Sequence, residues 1–326
     1  MKMRPLGKDG PSVSEIGLGC WQLGGDFGPM NDGQADAVLD AARDEGITFL
    51  DTADVYGAGR SEERVGAHAA QWSERPFIAT KVGRTDDLYP DGYDEETVRK
   101  HLKASAERMG VETLDLVQLH CVPPDLLRAG TIFTIMDRMQ DEGLCTRWGA
   151  SVETLDEALI CLRAERLVSL QMIFNIFRQD AAWAVFDEAK AAGVGIIVRL
   201  PLASGVLSGK FAEGHHFDPK DHRNFNRDGA AFSVGETFGG IPFDKAVQLA
   251  RGLERFVPEG WSMPDLALRW ILDHDAVTTV IAGCSKPEQV HVNARASDLA
   301  PLSADTHAAL RAYYENEVRE HIRGGI

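Results

Sequence analysis

The sequence is short of the features that would fix several common kinds of protein. Five cysteines among 326 residues, Cys20, Cys121, Cys145, Cys161 and Cys284, are odd in number, scattered and without a CxxC spacing. That excludes a disulfide framework or a thiolate zinc site and leaves reduced thiols. No apolar run approaches the roughly 20 residues of a membrane span, and the opening MKMRPLGKDGPSVSEIG lacks the apolar stretch of a signal peptide. A cytoplasmic location is expected. Positive charge is scarce as well: 34 Lys and Arg stand against 50 Asp and Glu, a formal net charge of -16, spread along the chain. This balance argues against nucleic acid and anionic membranes as partners and favours small ligands; it leaves the oligomeric state open. His215, His216 and His222 have no helical or strand ligand spacing, so no metal is expected. No GxGxxG joins an early strand to its helix, so the fingerprint of an open dinucleotide-binding sheet is missing.

What is present is a repeat of short apolar runs, each followed by a loop and a helical pattern. The runs are IGLGC (16–20), ITFLD (47–51), FIATK (77–81), LDLVQLH (114–120), TRWGAS (146–151), LVSLQMIF (167–174), GIIVRL (195–200) and TTVIAG (278–283). Helix-period segments lie between them, several ending in a glycine suited to a left-handed cap: Gly46, Gly110, Gly143 and Gly193. Continuously apolar strands indicate a parallel sheet, and eight uninterrupted repeats predict an α/β fold of the closed (β/α)8, or TIM barrel, kind. One domain spanning 1–326 is expected, since such barrels exceed ordinary domain length as single units. Residues 1–15 read as a hairpin turning at Lys8-Asp9-Gly10. The polar stretch 210–240, after the seventh strand, is too long for an ordinary connection and suggests a loop or lid.

In a parallel barrel the C-terminal strand ends share one mouth, where chemistry gathers. Three successive ends carry Asp51, Lys81 and His120, and Tyr56 lies five residues beyond Asp51. Individually, the first three have plain readings as a cap, a surface charge and a core histidine. Together they predict a proton-handling site. An adjacent ammonium should lower the Tyr56 phenol from its usual pKa of about 10, Asp51 should hold Lys81 charged, and His120 should donate to a substrate oxygen or relay the proton, a task suited to a pKa near neutrality.

The stretches DTADVYGAGRSEERVG (51–66), ATKVG (79–83) and LVQLH (116–120) resemble the catalytic motifs of the aldo-keto reductases. GLGCWQLGG (17–25), GAS (149–151), LQMIFN (170–175), PLASGVLSGK (201–210) and IAGCSKPEQVHVN (281–293) extend the resemblance over almost the whole chain. It implies a (β/α)8 barrel with NADPH extended over the mouth, Tyr56 as general acid/base, and Lys81, Asp51 and His120 in support. It also implies that Ser151 and Gln171 hold the nicotinamide carboxamide, that Leu202, Ser204, Leu207 and Lys210 follow the diphosphate, and that Gly283, Ser285, Lys286, Gln289 and Asn293 surround the adenosine. Trp21 and Arg199 complete the cofactor set. Three positions depart from the family's habit: Val152 replaces an asparagine after the serine of GxS, Arg199 replaces an aromatic that stacks on the ring, and Gln289 replaces an arginine on the 2′-phosphate. The expected cofactor is NADP(H), with NAD(H) as the alternative and Lys286 as a compensating charge.

The expected activity is hydride transfer between NADP(H) and a small aldehyde, ketone or sugar. The expected substrate wall is Trp21, Phe27, Tyr56, His120 and Trp148; His215, His216, Phe225, Phe232 and Phe238 read either as a lid or as loop packing. Two alternatives remain: a Schiff-base lyase using Lys81, and a nicotinamide-binding module with little turnover.

Overall fold

The computed structural model describes residues 1–326. The expected hairpin pairs β1 (Met3–Pro5) with antiparallel β2 (Ser12–Ser14), Arg4 facing Val13. Its turn takes left-handed backbone at Gly7 and Asp9. The chain returns so closely that a Cβ on Gly10 would lie 1.7 Å from the Leu6 carbonyl oxygen, so only glycine fits there.

Eight parallel strands follow: β3 (Ile16–Gly19), β4 (Phe49–Asp51), β5 (Phe77–Val82), β6 (Leu114–His120), β7 (Cys145–Ser151), β8 (Leu167–Ile173), β9 (Gly195–Arg199) and β10 (Val277–Gly283). They close into a barrel in chain order, β10 pairing with both β3 and β9. The expected (β/α)8 barrel is therefore the observed fold, each strand ending within two residues of its expected position. Gly46, Gly110, Gly143 and Gly193 all take positive φ, between 67° and 77°, where the helices stop.

Side chains alternate across each strand, and this sorts them into two cores. Inside the barrel lie Phe49, Ala79, Leu116, Ile197 and Ile281, with Leu6 and Val13 of the hairpin plugging the N-terminal end. The larger core, 75 buried residues, lies mainly between strands and helices, so most apolar burial is outside the barrel. Arg4 fastens the plug, donating to Glu15 (2.7 Å) and to the carbonyls of Leu272 (2.6 Å) and Val277 (2.7 Å).

The 210–240 segment follows β9 as a chain of short turns: one helical turn at His222–Phe225 and 3-10 turns at Val234–Glu236 and Phe238–Gly240. Phe211, Phe217 and Phe238 pack against Phe243. Arg323 ties the segment down, donating to Gly240 O at 2.9 Å and pairing with Asp228 at 2.7 Å.

Candidate active site

Strand alternation also builds the site. Two positions beyond the interior core, on the same strand faces, come Asp51 after Phe49, Lys81 after Ala79, Gln118 after Leu116 and Arg199 after Ile197. His120 is level with Ser151, and Ser151 with Gln171. Fully buried Lys81 donates from Nζ to the Asp51 carboxylate, to Thr52 O at 2.8 Å and to Tyr56 Oη at 3.2 Å. The other Asp51 oxygen accepts from Gln118 (3.0 Å) and Gln171 (2.7 Å). A buried ion pair is tolerated when its remaining hydrogen-bonding capacity is met in this way. The His120 ring meets the Tyr56 ring edge-on, centroids 6.0 Å apart. All four residues expected to carry proton chemistry thus converge.

Two electrostatic expectations need correction. Burial pushes the Tyr56 phenol up while Lys81 pulls it down, and burial prevails, leaving it at about 12. Lys81 acts in the expected direction, but desolvation of the phenolate is the larger effect. At neutral pH Tyr56 is a protonated donor. His120 is held well below its ordinary value by burial and by the positive charges of Lys81, Arg84 and Arg199. It is therefore a neutral imidazole and does not titrate near neutrality. Burial also opposes the charge on Lys81, but Asp51 and Tyr56 overcome it and raise its pKa.

A cavity of about 610 Å³ opens above these residues, within the range that takes a sizeable organic ligand. Its wall includes small residues, Gly19, Ser204, Gly205, Ser208, Gly283 and Ser285, as well as Tyr56, Lys210 and Arg223. Leu200, Ala203 and Ser204 all have positive φ, uncommon for such residues and typical of functional backbone. Partial desolvation, then Arg223 and Lys286, lower the pKa of Lys210, an exposed residue on the rim; three cations lie near one another there in an acidic chain. The Gln22 Oε1 is buried without a partner in the same wall. A cavity that combines small residues, a proton donor and cations in its wall fits a dinucleotide.

Most of the expected ligand-facing residues do line this cavity: Trp21, Phe27, Ser151, Gln171, Arg199, Leu202, Ser204, Lys210, Gly283, Ser285 and Gln289. Trp21 stacks on Tyr56 at 5.6 Å. Phe225 and Phe232 reach the cavity from the 210–240 segment, whereas Phe238 is buried in packing with Phe243. Trp148 is a correction. It points outward from β7, fully buried, stacked on Phe133 at 5.9 Å and donating to Asp137 at 2.9 Å. Leu207, Lys286 and Asn293 are also absent from the wall: Leu207 is buried in the outer core, and Asn293 donates to Cys284 Sγ at 3.2 Å. The backbone amides at the start of the helix after β10 are partly capped, because Gln289 Oε1 accepts from Ser285 N at 2.7 Å and Lys286 N at 3.1 Å.

Sequence reasoning missed Gln118, Arg84, Arg223 and Glu236. Gln118 was findable, standing at the same alternating position as Asp51 and Lys81. Glu236 had no sequence signal: it reaches the mouth from the long segment and pairs with Arg199 at 2.7 Å. Arg199 also donates to Val152 O at 2.6 Å, so it is a pinned group and not a free stacking plane. Cys121, Glu153 and Glu236 bring their donor atoms within 4.8 Å of one another, but Arg84 already pairs with Glu153 at 2.7 Å.

The Aldo/keto reductase family model matches residues 15–315. An uncharacterized oxidoreductase of Bacillus subtilis, YqkF, is 28% identical over 98% of each chain. The L-glyceraldehyde 3-phosphate reductase of Escherichia coli K12 is 30% identical over 91% of this chain and 87% of its own. Among solved structures, the holo form of aldo-keto reductase AKR11C1 from Bacillus halodurans superposes with a TM-score of 0.77 at 27% identity, covering 96% of both chains.

Proposed function

Since the chain belongs to the aldo/keto reductase family and is an oxidoreductase, we propose that it transfers hydride between NADP(H) and a small aldehyde, ketone or sugar, with Tyr56 as general acid in reduction and general base in the reverse direction. The carrying observation is the hydrogen-bonded series Tyr56–Lys81–Asp51 beside His120 on the cavity floor. The substrate reading draws support from the relative named for reducing L-glyceraldehyde 3-phosphate; the cofactor reading draws it from the holo neighbour and the cations of the groove. The chain reads as one domain, 1–326.

In this reading Ser151 and Gln171 orient the nicotinamide carboxamide, Ser204 and Lys210 take the diphosphate, and Gly283, Ser285 and Gln289 flank the adenosine. The bound cofactor supplies or accepts the hydride at a carbonyl carbon. Neutral His120 orients the carbonyl oxygen. Tyr56 Oη passes its proton to that oxygen as negative charge develops, and Lys81 stabilises the phenolate left behind. Asp51 keeps Lys81 protonated and aimed. Lys81 also disfavours the Schiff-base alternative: its three N–H groups meet Asp51, Thr52 O and Tyr56, leaving no lone pair to attack a carbonyl.

Tyr56→Phe should lower kcat/KM for carbonyl reduction by about 10²–10⁴, the usual contribution of a positioned acid, with cofactor affinity retained in a fluorescence titration. Near wild-type turnover would remove Tyr56 from its role.

A further inference from the structure

Hydride transfer and Tyr56 act on the two ends of one carbonyl bond, so the reacting nicotinamide ring must lie within a few ångströms of Tyr56 whatever its orientation. Two nearly buried charges that the mechanism above does not use stand in that part of the cavity: Arg199 at the end of β9 and Glu236 on the 210–240 segment. Their side chains are 10% and 14% exposed and pair at 2.7 Å. Both are fixed, Arg199 by Val152 O and Glu236 through its own carbonyl, which accepts from Ser204 Oγ at 3.2 Å. Both also reach Tyr56 electrostatically: Glu236 helps raise the phenol's pKa, and Arg199 interacts with the phenolate when it forms. Of the neighbouring charges, Arg84 pairs with Glu153 and Arg178 acts on both Arg199 and Glu236; Glu236 is the largest opposite charge acting on Arg199.

An oxidised nicotinamide ring carries one positive charge and a reduced ring none. We propose that the Arg199–Glu236 pair sets the relative affinity of the two redox forms, Arg199 opposing the oxidised ring and Glu236 cancelling that opposition, so that one carboxylate on the long segment biases the direction of the reaction. The inference rests on the hydride-transfer reading. It requires only that the ring lie near Tyr56, where a unit charge a few ångströms away at the effective dielectric of a protein site changes affinity by tenfold or more.

The test is direct titration of the full chain with NADP⁺ and NADPH at pH 8, repeated with NAD⁺ and NADH, for the wild type, Glu236→Gln, Arg199→Met and the double variant. Glu236→Gln should raise the ratio of oxidised to reduced Kd about tenfold, equivalent to about 30 mV for a two-electron couple. Arg199→Met should lower the ratio, and the double variant should return towards wild type. Unchanged ratios in both single variants, with both redox forms still bound, would overturn this inference and leave the proposed function standing. Failure of the wild type to bind any nicotinamide dinucleotide would overturn both. If Arg199→Met fails to fold, Glu236→Gln decides alone, since it leaves the backbone anchor to Ser204 in place.

Discussion

Asp54 stands three residues after Asp51 and is treated very differently by the fold. Asp51 is saturated by Lys81, Gln118 and Gln171. Asp54 is buried and meets no side-chain donor at hydrogen-bond distance; the nearest group able to carry positive charge is His101, at 3.7 Å. Burial, with the nearby Glu62 charge, raises its carboxyl from an ordinary 3.8 to about 7. The folded state therefore holds a proton that the unfolded chain gives up near pH 4. The stability this brings is complete below pH 4 and is lost progressively as pH climbs to about 7. Asp54→Asn removes the penalty. Each tenfold difference in proton affinity between the folded and unfolded chain is worth about 1.36 kcal/mol, so the variant should gain about 4 kcal/mol over the wild type at pH 8 relative to pH 4. Urea midpoints measured across that range would check it. A difference that does not change with pH would show that Asp54 is not the group responsible. Tyr56 teaches the same lesson at the next turn: a partner's direction can be read from sequence, but the depth of burial decides which effect prevails.

At the scale of the element, alternation along a strand explains both what the sequence discloses and what it hides. Asp51, Lys81 and His120 share the inward face of their strands with the interior core, and this is visible once strand ends are marked. Trp148 is one residue out of step with Gly149 and Ser151 on β7, so it turns to the helix Thr131–Asp141 and stacks on Phe133. Counting alternation back from Ser151 would have placed it outside the pocket; its aromatic character suggested otherwise. Glu236 and Arg223 lie beyond such counting, because an irregular segment has no period to carry a side chain's direction. Trp148→Leu should cost about 3 kcal/mol, from lost packing and the lost hydrogen bond to Asp137, while leaving cofactor and substrate KM unchanged. A shift in either KM at full folding would return Trp148 to the site.

For the whole molecule, a net charge of -16 opposes the approach of a dinucleotide that is itself anionic, so the cations of the groove have to overcome the field of the chain that carries them. Lys210 and Arg223 form that local exception, with Lys286 near Lys210 but off the wall, and Arg223 is held in place by Asp221 at 2.6 Å. Long-range repulsion is screened over about 10 Å at 0.1 M salt, whereas contacts inside the groove are screened much less. Added salt should therefore weaken cofactor binding less than the cations alone would suggest, because it also relieves the repulsion of the acidic surface. Lys210→Gln removes a charged contact of the kind that contributes about 1.5–3 kcal/mol. It should weaken NADPH binding at least tenfold at low salt. It should also turn the salt response towards tighter binding with rising ionic strength, since the repulsive field then meets less opposition. Titrations between 20 and 500 mM salt, about a fivefold range of screening length, would show this, and an unchanged salt slope would place Lys210 outside the cofactor's path.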